Sequence, residues 1–221
     1  PFSVIRKESF EIENLEALFF GISGLLETEK EDVYYKDLKF RYFYLLHKYQ
    51  IEKTYVDPLQ FFKLRPDNFP TIRLSQLAGL YHTYQNLFSK IIDLKSVKNV
   101  YNLLSVSASS YWHCHYQFDK ESPKKSKTLS KSFLDLLIIN TIIPLQFAYS
   151  NMMGESPAED LIDFINEVAS EKNAIIDKFN SFGIQSKSAF ESQTLLELKN
   201  EYCNQKACLK CAFGLELLKN N

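Results

Sequence analysis

The chain has 221 residues, 45% hydrophobic and 24% charged, with a net charge of −1. That length buries a sizeable core without a disulfide or metal staple, and the even charge balance excludes the overall basic excess typical of nucleic-acid binders. Only 6 Gly and 7 Pro argue against a turn-rich β-sandwich, while 18 Phe and 13 Tyr point to aromatic packing.

In chain order, Leu15, Leu18, Phe19 and Ile22 recur at helical spacing and predict an amphipathic helix over about 9–21. A second helix is expected over 32–49, with Leu38, Tyr42, Leu45 and Tyr49 on one stripe. The stretch from Asp57-Pro58 to Phe69-Pro70 should be extended or turned, because each Pro pushes the residue before it away from helix. A third helix starts near Thr71, with Leu74, Leu77, Ala78, Tyr81, Tyr84 and Phe88 as its apolar face.

Residues 105–118 break the pattern. The run Tyr111-Trp-His-Cys-His-Tyr-Gln-Phe118 is aromatic without helical period and reads as a short strand or ordered loop. Residues 119–131 are polar and Lys-rich and read as a mobile surface loop. The most apolar stretch, 133–149, holds Asp135, Asn140, Pro144 and Gln146 and is shorter than a bilayer requires. It therefore predicts a buried helix, kinked or broken near Pro144 and ended by Gly154. Ser156-Pro-Ala-Glu159 and Ser188-Ala-Phe-Glu191 have the form of helix-starting capping boxes. The faces that follow are Leu161, Phe164, Ile165 and Val168 for the first, and Leu195, Leu198 and Tyr202 for the second. Between them, Ile175, Ile176 and Phe179 mark a short helix stopped by Gly183. The fold class expected is all-α, about eight helices in one domain over 1–221, with one irregular or β-like aromatic segment near 110–118.

Three features carry candidate chemistry. The first is Cys203-x4-Cys208-x2-Cys211, where a two-residue gap lets two thiolates converge on one ion. A tetrahedral site needs one more ligand, and His113, Cys114 and His115 are the candidates. A His gives a Cys3His zinc site, and Cys114 gives four thiolates that suit zinc or, less readily, an iron–sulfur cluster. Free thiols remain the plain alternative. The second is the His113/His115 pair, whose i, i+2 spacing would share a face on a strand or else satisfy local hydrogen bonds. The third is Arg65-Pro-Asp-Asn-Phe-Pro-Thr-Ile-Arg73, in which Arg65 and Arg73 could clamp an anion at a helix start, or pair structurally. No Walker A, dinucleotide-binding glycine pattern, H-E-x-x-H or G-x-S-x-G motif occurs. The clustered Cys and the absence of an apolar leader fit a cytoplasmic protein without a membrane segment. The missing initiator Met suggests a piece of a longer chain.

The segments Glu13-Asn-Leu-Glu-Ala-Leu-Phe-Phe-Gly21, Leu64-Arg-Pro-Asp-Asn-Phe-Pro-Thr-Ile-Arg-Leu74 and Tyr111-Trp-His-Cys-His-Tyr116 resemble a bacterial family described as domain of unknown function 2851. So do Asn140-Thr-Ile-Ile-Pro-Leu145, Glu171-Lys-Asn173, Ser192-Gln193 and the run from Glu201 to Cys211. The resemblance spans nearly the whole chain. It implies an upstream region, absent here, that looks like a nuclease core, and it maps a Trp-x-x-His-Tyr pattern onto Trp112, His115 and Tyr116. That makes His115 the preferred fourth ligand to Cys203, Cys208 and Cys211. A helical domain with a Cys-rich tail is also similar to endonuclease III-type glycosylases, although the first Cys gap is shorter here and no fourth Cys follows. The expected role is a non-catalytic helical module of a nuclease-like protein. Its partners would be its upstream domain and, through an anion contact, nucleic acid, with a metal held structurally. The alternatives are a nucleic-acid-processing enzyme with a zinc or iron–sulfur site, and an interaction scaffold with free thiols.

Overall fold

The computed structural model describes residues 2–53, 55–155 and 158–219, with Ala158 described by its backbone alone. The protein is predominantly helical, at 62% of the described residues, as expected. It folds as two compact units, Pro1–Lys90 with Asn102–Ser130, and Ile91–Tyr101 with Lys131–Asn221.

The first unit is built on α1 (Phe2–Glu8), α2 (Ile12–Ile22), α3 (Val33–Tyr49) and α4 (Pro70–Thr83). The helix expected over about 9–21 is α2, which begins at Ile12; an unexpected helix, α1, precedes it and ends at Glu8 before a turn that leaves Phe10 exposed. Asp32 caps α3, its carboxylate accepting from the Tyr35 N–H at 2.9 Å, and Gln50 closes the helix in the left-handed conformation. The α3 stripe Leu38, Tyr42 and Leu45 is buried against α2, Ala17, Leu18 and Phe20. Gly21 is required there: a Cβ would stand 2.2 Å from the Tyr42 ring.

The expected face of α4 is only partly right. Leu77 is exposed, and Tyr84 and Phe88 lie beyond the helix end. The buried face carries Thr71, Ile72, Ser75, Gln76, Ala78 and Gly79. Small and polar side chains face inward because the partners waiting for them are polar: a buried carboxylate for Ser75 and a backbone carbonyl for Gln76.

The helices α5 (Leu87–Ile92) and α6 (Val97–Leu103) follow. The aromatic segment is then a 3₁₀ turn over Ser110–His113 leading into β1 (His115–Gln117), paired antiparallel with β2 (Lys120–Glu121). The Lys-rich run after it is more ordered than expected. Ser122 N–H donates to Cys114 O at 2.7 Å, Lys125 N–H to His113 O at 2.9 Å, and Ala108 N–H to Lys127 O at 3.1 Å. Backbone pairing on both sides of the run, not charge, sets its path.

The second unit contains the long apolar helix, formed by α7 (Lys131–Leu137), a π-helical stretch (Ile138–Ile142) and α8 (Ile143–Met152). It is continuous over 22 residues, long and apolar enough to cross a bilayer by length and composition, and 28% of its most apolar window is buried. The helix is longer than expected, and it is not broken at Pro144. Pro breaks a helix by lacking an N–H and crowding the carbonyl four residues earlier. Here the Ile143 N–H reaches back to Ile138 O, and the wider π turn carries the chain into α8 with Pro144 in its first turn. One stripe, Leu134, Ile138, Ile139, Ile142 and Gln146, is buried, while Leu136 and Phe147 are exposed.

The remaining helices are α9 (Ala158–Asn166), α10 (Ala174–Ser181), α11 (Ala189–Glu197) and α12 (Ala212–Lys219). Residues 156 and 157 of the first capping box lie outside the described residues. In the second box, Ser188 Oγ accepts from Glu191 N–H at 3.3 Å, and Glu191 turns back to the Lys187 N–H. Asn173 caps α10 and Gly183 follows its end at φ +83°. A second π stretch, Leu198–Cys203, and a 3₁₀ turn, Cys208–Lys210, lead into α12.

Candidate functional site

The chemically richest place in the first unit is the underside of the 110–118 segment. The α2 helix carries Glu16 into the core at 0% exposure. Its Oε1 accepts from the Ser75 hydroxyl of α4, and its Oε2 from the Tyr34 hydroxyl of α3 and from Trp112 Nε1 at 3.4 Å. Burial pushes the Glu16 pKa up, and the donors from Ser75, Tyr34, Ser109 and Trp112 pull it back only in part. Burial, followed by the Glu16 charge, pushes the Tyr34 phenol up in turn. One carboxyl thus ties three helices to the aromatic segment, and each oxygen is spent on a structural partner.

Aromatic rings surround it. Trp112, fully buried, stacks on Phe20 with centroids 5.3 Å apart and meets Phe118 edge-on at 5.1 Å. Tyr34, Tyr111 and His115 form a three-ring stack, with steps of 4.3 and 4.1 Å. The Tyr111 hydroxyl donates to Asp32 at 2.5 Å, and His115 Nδ1 lies 2.9 Å from Tyr111 O. His113 Nε2 sits 3.4 Å from Ser107 Oγ. The two His belong to different elements, a 3₁₀ turn and a strand, and each serves a local contact.

Beside this core lies a cationic corner. Lys127, 2% exposed, donates to Trp112 O and to His113 O at 3.1 Å, and its ammonium sits 4.0 Å from the Tyr116 ring centroid. Burial lowers its pKa. The Asp67 carboxylate accepts from Lys125 Nζ at 2.8 Å and from the Tyr116 hydroxyl at 3.0 Å. The Lys125 hydrogen bond holds the Asp67 pKa below its usual range, with burial opposing and Tyr116 assisting. Arg73 is half-buried, donating to Asn68 Oδ1 at 2.6 Å and Gln76 Oε1 at 2.8 Å. Burial lowers its pKa and the Asp67 charge opposes that shift. The Asn68 side chain is spent on Arg73, and no side chain caps α4. Arg65 is exposed two residues before Asp67.

The predicted metal ligands are distributed differently. His115 lies in the first unit, and Cys203, Cys208 and Cys211 lie in the second. Cys203 and Cys208 are exposed, Cys211 is buried, and all are free thiols. Among the described residues, no group of three or more His, Cys, Asp or Glu side chains is gathered so as to hold a metal ion.

Glu16 escapes a sequence reading because it looks like one more charge on an amphipathic helix. The available signal is its position between Leu15 and Ala17, on a helix whose buried residues run through 15, 16, 17, 18, 20 and 21.

Comparisons with curated proteins and with solved structures returned no match. A family model does match, over residues 1–174, and its span includes Glu16, the 65–73 stretch and the aromatic segment. On that match the chain belongs to the family described as protein of unknown function (DUF2851).

Proposed function

We propose that this chain is a non-catalytic helical module of a larger nuclease-like protein, and that its first unit contacts a polyanion, nucleic acid, at the corner around Asp67. The observation that carries this reading is the charge imbalance there. A single carboxylate, Asp67, is shared between Lys125 and Tyr116 and interacts with Lys127 and Arg73, while Arg65 lies exposed close by in sequence. A phosphate oxygen offers the same acceptor chemistry as that carboxylate. The non-catalytic part is supported by the buried Glu16 and the half-buried Asp32, whose oxygens accept from side chains and backbone of their own unit.

The test is DNA binding by fluorescence anisotropy across a salt series. Arg65→Ala and Lys125→Ala are expected to weaken binding, each lowering the log–log salt slope by about 0.9 per lost phosphate contact. Asp67→Asn, which removes the resident negative charge, is expected to tighten it. No binding at low salt, or an Asp67→Asn variant that binds no better than the parent, would refute the contact. Nuclease or glycosylase turnover by this chain alone would refute the non-catalytic assignment.

A further inference from the structure

The second unit holds a cavity of about 530 Å³ bordered by residues 92–95, α8 and α9. Its wall is strongly acidic: Glu155, Asp160, Asp163 and Glu167 line it, against a single ammonium from Lys95. Glu167 is committed, accepting from the Val97 N–H at 3.1 Å. Glu155, Asp160 and Asp163 are exposed and form no ion pair among the described residues. Leu161 and Phe164 supply apolar wall.

An independent feature belongs to the same cavity. Gln146 lines it and is only 5% exposed. Its Nε2 donates to the carbonyls of Ile91 at 2.8 Å, Ile92 at 3.2 Å and Leu94 at 2.9 Å. Those three acceptors fix which end of the amide is nitrogen, because the flipped amide would set oxygen against oxygen. The Oε1 is left buried without a hydrogen-bond partner among the described residues. A buried, unpaired amide oxygen is costly and is satisfied by an N–H or O–H donor.

The two observations select one ligand chemistry. Anions are repelled by the wall. A metal ion is not selected, since no group of three suitable ligands is gathered among the described residues. An organic cation that carries N–H donors and methylenes fits both the acids and the apolar wall, and it brings the donor that Gln146 lacks. We propose that this cavity binds an aliphatic polyamine, with an ammonium among Glu155, Asp160 and Asp163, its methylenes along Leu161 and Phe164, and an N–H directed to Gln146 Oε1. This proposal is independent of the anion contact on the first unit.

The probe is spermidine, titrated calorimetrically into the intact chain at low and at physiological ionic strength. One saturable equivalent is expected. The Asp160→Asn/Asp163→Asn double variant should weaken it roughly tenfold or more, since each lost charge is a partly screened attraction. Glu159→Gln, an exposed acid on the same helix outside the cavity wall, should leave affinity within about twofold on the same screening argument. A spermidine whose nitrogens are all quaternised by methyl groups keeps the charge but has no N–H, so it should bind distinctly more weakly. Gln146 itself is left intact because its amide supports three backbone carbonyls. Non-saturable binding, equal losses in Glu159→Gln and the double variant, or equal affinity for the N-methylated probe would each overturn the site.

Discussion

The most informative perturbation in the first unit is Glu16→Gln, compared with the parent across pH. Glu16→Ala would be a blunt tool: it leaves the Ser75 and Tyr34 hydroxyls and the Trp112 N–H buried without their acceptor. At roughly 1–3 kcal/mol for each unmade bond, that consumes much of a typical stability of about 5–15 kcal/mol. Gln keeps the shape and mimics the protonated carboxyl, with an oxygen for Tyr34 and Trp112 and an N–H₂ toward Ser75. Burial raises the Glu16 pKa above its ordinary 4.5, so the folded state holds a proton that the unfolded state releases. Stability contributed this way is present at low pH and is lost as pH rises from 4.5 through the folded value. The slope approaches about 1.4 kcal/mol per pH unit while the two states differ by one proton. The Gln variant cannot titrate there, so it should gain on the parent steadily over that window and then hold its advantage. The assay is urea unfolding followed by the fluorescence of Trp112, the only Trp in the chain and 0% exposed. A stability difference that stays flat from acid to neutral pH, or that moves in favour of the parent, would refute the raised pKa.

Other consequences follow from single contacts. Gly21→Ala places a Cβ 2.2 Å from the Tyr42 ring, and overpacking of this kind should cost about 1–3 kcal/mol in the same assay; an unchanged midpoint would show that α2 and α3 can part freely. Gln146→Met removes the donor to three carbonyls and also the unpaired Oε1. The partial offset leaves an expected loss of roughly 2 kcal/mol, read as a lowered thermal midpoint by circular dichroism, and a variant as stable as the parent would count against the amide orientation. With the thiols free as placed, Cys203 and Cys208 should react rapidly with a disulfide reagent and Cys211 slowly. Protection of all three until a chelator is added would instead show that they hold a metal.

The helical character of the chain was legible because most helices bury an apolar stripe that is local in sequence. Leu38, Tyr42 and Leu45 on α3 illustrate this, as do Phe164 on α9 and Ile176 on α10. The face of α4 was not legible, because Ser75 and Gln76 are drawn inward by partners 59 and 51 residues away. The same limit applies to Lys127. In sequence it is one Lys in a solvated run; in the fold its ammonium bonds the Trp112 and His113 carbonyls at the end of the Ser110–His113 turn. Of the candidate residues, Arg65 and Arg73 were legible as cations flanking a Pro-stiffened turn. Arg73's structural duty toward Asn68 and Gln76 was not, since it needs the turn's three-dimensional closure. Gln146 registered only as a polar residue within an apolar helix, because the carbonyls that hold its amide come from a segment more than fifty residues away.

The polar groups inside the first unit explain how a surface corner can be positioned by a core. An apolar core tolerates small slips of one helix against another at modest cost. A buried carboxyl with donors from α3, α4 and the 110 turn does not, because any slip leaves a buried polar atom unpaired. Glu16 therefore fixes where the Trp112 turn sits on α2. That turn fixes the carbonyls to which Lys127 is bound, and Lys127 sits against the ring of Tyr116. The Tyr116 carbonyl accepts from Thr71 Oγ1 at the start of α4, and its hydroxyl holds Asp67. The cationic corner is thus the outer end of a chain of contacts that begins at Glu16. If that chain transmits position, Tyr34→Phe, which removes one donor to Glu16 without touching the surface, should loosen the corner. The measurable sign is faster amide hydrogen exchange at His115–Gln117 than in the parent, with α10 and α11 in the other unit unchanged. Equal acceleration in both units would show general destabilisation and break the argument.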